Sequence, residues 1–143
     1  MREKTLKFLG LMRRANALQA GENNAGEAVR GGKAKLLLLA SDASENAKRR
    51  AESFVGGRSC LLLALPFTKA ELGGALGQGD CSMAAVTELG FANALAKRLA
   101  ELDPGRFGDA AGEVARRFSK AERRRSETAK ERNKRNGKRR TNV

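Results

Sequence analysis

Residues Leu36-Leu37-Leu38-Leu39-Ala40 form an unbroken apolar run, bounded by Gly31-Gly32 upstream and Ser41-Asp42 downstream. The run is strand-sized and too short for a core helix. With leucine at four successive positions it has no polar side, so the strand must be buried on both faces. A parallel or mixed sheet with helices packed on each side meets that demand.

The rest of the chain supplies those helices. Lys4 to Ala17 reads as a helix, because Leu6, Leu9 and Met12 recur at helical spacing, with Phe8 and Leu11 widening the apolar face. Ala17 to Ala20 reads as a short strand, and Gly21-Glu22-Asn23-Asn24 as a turn in which either Asn can cap a helix over Ala25 to Arg30. Ser44 caps a helix through Phe54 that Gly56-Gly57 stops, and Ser59 to Leu65 is a second buried strand. Thr68 caps Lys69 to Leu76, Met83 to Val86 is a further strand, and Phe91 to Leu102 is a helix stopped by Asp103-Pro104-Gly105. This alternation predicts an α/β chain folded as a three-layer α/β/α sandwich.

Three parts follow: a domain over 1–103, a linker and amphipathic helix over 104–118, and a basic tail over 119–143. In the middle part Phe107, Ala111, Val114, Phe118 and Ala121 step by four and three. Such a stripe packs on the body or receives a partner, and exposed apolar stripes are uncommon on monomers. Beyond Ala121 the sequence has too little apolar content to order itself alone, so the tail is expected to be a loose helix or disordered.

Charge narrows the function. The chain carries 29 Lys+Arg against 16 Asp+Glu, a formal net charge of +13. Eleven of the cations and only three of the acids lie between Ser119 and Val143. The densest segments are Arg123-Arg124-Arg125 and Lys134-Arg135-Asn136-Gly137-Lys138-Arg139-Arg140. Segments of this kind bind phosphate backbones through counterion release. They lack the bulky apolar anchors of a membrane-surface helix, which favours nucleic acid over lipid. A second cluster, Lys33, Lys35, Lys48, Arg49, Arg50 and Arg58, also fits an ordinary solvated face.

Catalysis finds little support. The chain has no His, so Ser-His-Asp and Cys-His pairs and His-ligated metals are excluded. Ser41, Ser44, Cys60, Cys81 and Ser82 have no obvious base partner, and Asp42 with Ser44 suits a strand-to-helix cap. The run Gly73-Gly74-Ala75-Leu76-Gly77-Gln78-Gly79 matches neither phosphate-binding glycine pattern. No enzyme activity, cofactor, metal or small-molecule substrate is expected. Two cysteines without a secretory leader read as reduced thiols, which places the protein in the cytoplasm, and no segment is long and apolar enough to span a membrane.

The order Gly10-Leu11-Met12-Arg13-Arg14-Ala15, Gly21-Glu22, Ala34 to Ser44, Glu71-Leu72-Gly73, Ala85-Val86-Thr87 and Gly90-Phe91-Ala92-Asn93 resembles the bacterial branch of the ribosomal L-seven-Ae superfamily. The resemblance covers about Leu6 to Leu99. It implies a four-stranded mixed sheet and a non-catalytic protein that binds structured, kink-turn-like RNA. Ribosomal RNA and the ribosome are expected partners. The other function the resemblance allows is an adaptor of the same fold that has left kink-turns. In the family a Gly-x-Asn-Glu-x-x-Lys turn meets the RNA. Here Gly21 and Asn23 match, Asn24 stands in place of Glu, and Glu27 in place of Lys. The family's second RNA-facing loop falls at Leu76 to Ser82, which carries Asp80 and no Lys or Arg. The residues expected to contact RNA are therefore Gly21, Asn23, Asn24, Lys33 and Lys35 in the body. In the tail they are Arg123, Arg124, Arg125, Lys134, Arg135, Lys138, Arg139 and Arg140.

Overall fold

The leucine run becomes β2 (Leu36–Leu39), and all four residues are buried. Each of these leucines contributes about 2 kcal/mol by leaving water. The structure is a computed structural model that describes the backbone of residues 1–141 and the side chains of residues 1–134. The remaining strands are β1 (Leu18–Ala20), β3 (Leu61–Ala64) and β4 (Met83–Val86), and the sheet order is β1-β4-β2-β3. β2 runs parallel to β3, pairing Leu36 with Leu61, and antiparallel to β4, pairing Leu36 with Val86. β1 lies antiparallel to β4 and forms one edge. The sheet is therefore mixed.

Alternate residues of β2 feed two separate cores. Leu36 and Leu38 face α1 (Arg2–Arg14), α4 (Lys69–Ala75), α5 (Leu89–Leu102) and the start of α6 (Pro104–Thr141), among Leu9, Met12, Phe67, Leu72, Leu95 and Leu99. Leu37 and Leu39 face α2 (Glu22–Arg30) and α3 (Glu45–Val55), among Ala25, Val29, Ala47, Ala51 and Phe54. This is the α/β/α sandwich that the sequence pattern predicts.

Local chemistry sets the boundaries. Ser44 caps α3 by accepting the Ala47 N–H at 3.1 Å. Thr68 and Glu71 form a reciprocal capping box on α4, each side chain accepting the other's backbone N–H at 3.1 Å. Two departures from the sequence reading have a local cause. α1 ends at Arg14 rather than Ala17, because Asn16 takes a left-handed φ of 59° and turns the chain into β1. Asn23 and Asn24 do not cap α2; both lie inside its first turn and Gly21 is the N-cap residue, with φ 97°. That backbone conformation is open to glycine and strained for other residues, and it lets the strand enter the helix without a spacer.

The stripe on α6 packs on the body. Phe107, Ala111 and Val114 are buried in the same core as Leu95 and Leu99. Helix nucleation is the costly step of helix formation. Once these first turns are anchored, the polar remainder propagates as a continuous helix, with Glu113 paired to Arg116 and Arg117 and Glu122 to Arg125. Sequence alone left the tail as helix or disorder, because it could not show that the stripe has a surface to nucleate on.

The Glu71 carboxyl links two elements. It accepts the Thr68 N–H and pairs with the Arg2 guanidinium of α1 at 2.7 Å, which holds its pKa below the usual 4.5. Glu113 is lowered in the same way by Arg116 and Arg117. A carboxyl with a depressed folded-state pKa stabilises the fold above its unfolded pKa, and that stability is lost as pH falls through the folded value. Thermal melts should therefore shift downward between pH 5 and pH 3, about the range where carboxylates titrate. Glu71→Gln should remove part of that dependence. An identical pH profile in the variant would refute the linkage.

Candidate nucleic-acid interface

One end of the sheet gathers the start of α2 and the loop Leu76–Ser82. The Gly21 N–H donates to the Met83 carbonyl at 2.9 Å, so α2 begins beside the residue that follows this loop. The Ala40 N–H holds the loop's other side through the Ser82 carbonyl at 2.8 Å. No side chain caps α2, and the first helical bond runs from the Ala25 N–H to the Gly21 carbonyl at 2.9 Å. The N–H groups of Glu22, Asn23 and Asn24 precede that bond. Together with the helix dipole they favour an anion at this end. Asn23 and Asn24 are exposed, and Asn24 Nδ2 donates to the Ala20 carbonyl at 3.0 Å. Glu22 is held by Arg50 of α3 at 2.7 Å, which offsets its charge on that side.

A cleft of about 490 Å³ continues from Asn24 along α2 and the free edge of β1. Its polar lining is Asn16, Gln19, Asn24, Glu27, Lys33 and Thr87. Amide side chains of this kind match the donor and acceptor pattern of base edges. Glu27 places a carboxylate where phosphate would be repelled.

The structure distributes the expected residues over three places. Gly21, Asn23 and Asn24 come together at the α2 terminus, and Lys33 joins Asn24 in the cleft. Lys35 does not share it: it lines a separate groove with Gly32, Ser59 and Arg117. Arg123, Arg124, Arg125 and Lys134 are exposed on α6. Arg135, Lys138, Arg139 and Arg140 lie outside the residues whose side chains are described.

Arg13 is the residue that sequence reasoning missed. Its guanidinium reaches from the end of α1 into the loop, donating to the Leu76 carbonyl at 2.8 Å and to Gln78 Oε1. The loop has no cation of its own in sequence but acquires one in space. The adjacent Arg13-Arg14 pair was the available signal, and only the packing of α1 on α4 aims it.

The cysteines do not form a reactive site. Cys60 and Cys81 are both free and buried. Burial pushes the Cys60 thiol up to about 11, against the opposing pull of Arg117 and Lys35, so it stays protonated near neutral pH. Among the described residues no group of three or more His, Cys, Asp or Glu is placed to hold a metal ion. No helix of the described residues is long and apolar enough to cross a membrane.

The α/β/α sandwich around this mixed four-stranded sheet is a fold of the ribosomal L-seven-Ae type. A relative named RNA-binding protein YlxQ, from Bacillus subtilis (strain 168), is 35% identical over 92 residues, covering 62% of this chain and 87% of that protein. A solved structure described as a protein with unknown function from Bacillus halodurans C is 31% identical with a TM-score of 0.61, over 66% of this chain and 94% of that one. The Giardia lamblia 15.5kD RNA binding protein shares the fold at 18% identity and a TM-score of 0.56, over 69% of this chain and 84% of that one. No protein-family model matches the chain. The chain belongs to the ribosomal L-seven-Ae superfamily.

Proposed function

We propose that this protein is a non-catalytic, cytoplasmic RNA-binding protein. It holds a structured, kink-turn-like RNA at the α2 terminus, and its basic α6 adds phosphate contacts. Ribosomal RNA is the leading partner. The observation that carries this reading is the uncapped start of α2, where Gly21 leaves the backbone open and Asn23 and Asn24 are exposed beside the Arg13-braced loop. Family membership and the RNA-binding name of the Bacillus subtilis relative support it. Positioning would belong to the body and sequence-tolerant affinity to the helix.

Asn23→Ala with Asn24→Ala should reduce the preference for a kink-turn hairpin over a straight duplex by about thirtyfold, at two lost hydrogen bonds of about 1 kcal/mol each. Glu27→Lys should act oppositely and tighten binding to the hairpin. Competition binding at fixed salt measures both. Equal affinity of the native chain for both RNAs would sink the kink-turn reading. A second reading is an adaptor that has left kink-turns, favoured by Glu27 in the cleft. A Glu27→Lys variant that gains no hairpin affinity would support it.

A further inference from the structure

The outer face of α1 has no role in the site above. Lys4, Lys7, Leu11 and Arg14 lie along it, and with Phe8 and Arg98 of α5 they line a shallow groove of about 380 Å³. Leu11 is 49% exposed, one of the two large apolar side chains that are exposed among the described residues. Arg98 lies over the Phe8 ring at 4.4 Å, and Phe8 meets Phe91 at 5.8 Å. Among the described residues, the ion pairs leave Lys4, Lys7, Arg14 and Arg98 without a carboxylate partner. Four cations that repel one another around an aromatic and an exposed leucine form a surface complementary to a polyanion carrying flat apolar groups.

That description fits single-stranded RNA. Phosphates would lie along the cations, and a base would stack on the guanidinium plane of Arg98 or on the Phe8–Leu11 strip. The face is continuous with the interface already described: Arg14 follows Arg13, whose guanidinium braces the Leu76–Ser82 loop. From Lys4 to Arg14 the helix spans about 15 Å, room for a short run of nucleotides. A membrane surface fits less well. Of the other large apolar residues of α1 beside Phe8, Leu9 and Met12 are fully buried and Leu6 is packed half-buried against the core, which leaves Leu11 alone to reach lipid.

We propose that α1 and α5 form a track for a single-stranded RNA segment flanking the structured element that the α2 terminus holds. The track rests on the reading that the chain binds RNA. The full-length protein is titrated with five labelled RNAs: a kink-turn hairpin, the same hairpin with a short oligouridine extension at its 5′ end, the same hairpin extended at its 3′ end, oligouridine alone, and a straight duplex. The native chain should bind one extended hairpin about three- to tenfold tighter than the bare one, the yield of one or two extra phosphate contacts at low salt. Lys4→Gln with Lys7→Gln, both at exposed positions, should abolish that gain and leave the bare hairpin unchanged. No gain in the native chain, or a gain kept in the variant, overturns the track. Failure of the kink-turn reading has a different signature: the bare hairpin binds no better than a duplex, while oligouridine binds and is weakened by the same two substitutions. Phosphatidylserine vesicles provide the opposing arm. Vesicle binding lost in the variant while the extension gain persists assigns the face to lipid and also overturns the proposal.

Discussion

Deleting residues 119–143 is expected to weaken binding to any folded RNA about a hundredfold at low salt, and to lower the slope of log affinity against log salt by about five. The deleted segment holds eleven Lys and Arg against three acids. About half of the cations in contact with phosphate, at about 0.9 counterions each, account for that slope. The fold should survive. Phe107, Ala111 and Val114, which anchor α6 to the core, all precede the cut, and Phe118 is retained. A thermal melt close to that of the intact chain is the control. The ratio of affinities for kink-turn and straight RNA should hold or rise, because phosphate contacts carry no sequence information. An unchanged salt slope would remove the tail from the interface.

Gly73→Ala should be the most damaging single methyl group in the body. An added Cβ would lie 2.0 Å from the Gly79 carbonyl oxygen, 2.7 Å from its carbon and 3.1 Å from the Asp80 Cα. All three are backbone atoms, so no rotamer change relieves the clash. Either α4 or the Leu76–Ser82 loop must move, at a cost of about 3 kcal/mol. That corresponds to a fall of about 10 °C in melting temperature for a chain of this size. A moving loop would also strain the Gln78 N–H bond to the Gly73 carbonyl at 2.9 Å and the Cys81 N–H bond to the Lys69 carbonyl at 3.0 Å. Gly74→Ala is the matched control. Nothing lies within 4 Å of its added Cβ, and alanine favours a helix interior over glycine by about 1 kcal/mol. Equal melting temperatures for the two variants would refute the close packing.

The architecture was legible in sequence because its determinants are local. Four leucines in a row admit one kind of strand, buried on both faces, and the structure places Leu36 and Leu38 in one core and Leu37 and Leu39 in the other. Ser44 and Thr68 are caps whose partners lie three residues away, within reach of a sequence reading. The site was legible only where its residues are also local. Gly21, Asn23 and Asn24 share one turn and could be read together. Arg13 and Gln78 lie 65 positions apart, and no sequence spacing couples them. Lys33 and Lys35 sit two residues apart yet line different grooves: the Lys33 N–H is still tied to α2 through the Ala28 carbonyl at 2.9 Å, whereas the Lys35 N–H already bonds the Val86 carbonyl of β4 at 2.7 Å. By itself the sequence determined the leucine strand, the layers that must cover it and the excess of positive charge. Tertiary packing alone decided that the α6 stripe is anchored on the body, that the loop receives its cation from α1, and that four cations with no ion-pair partner among the described residues surround Phe8 and Leu11. These features depend on which surfaces meet, and contacts between residues distant in sequence exist only once the chain has closed on itself.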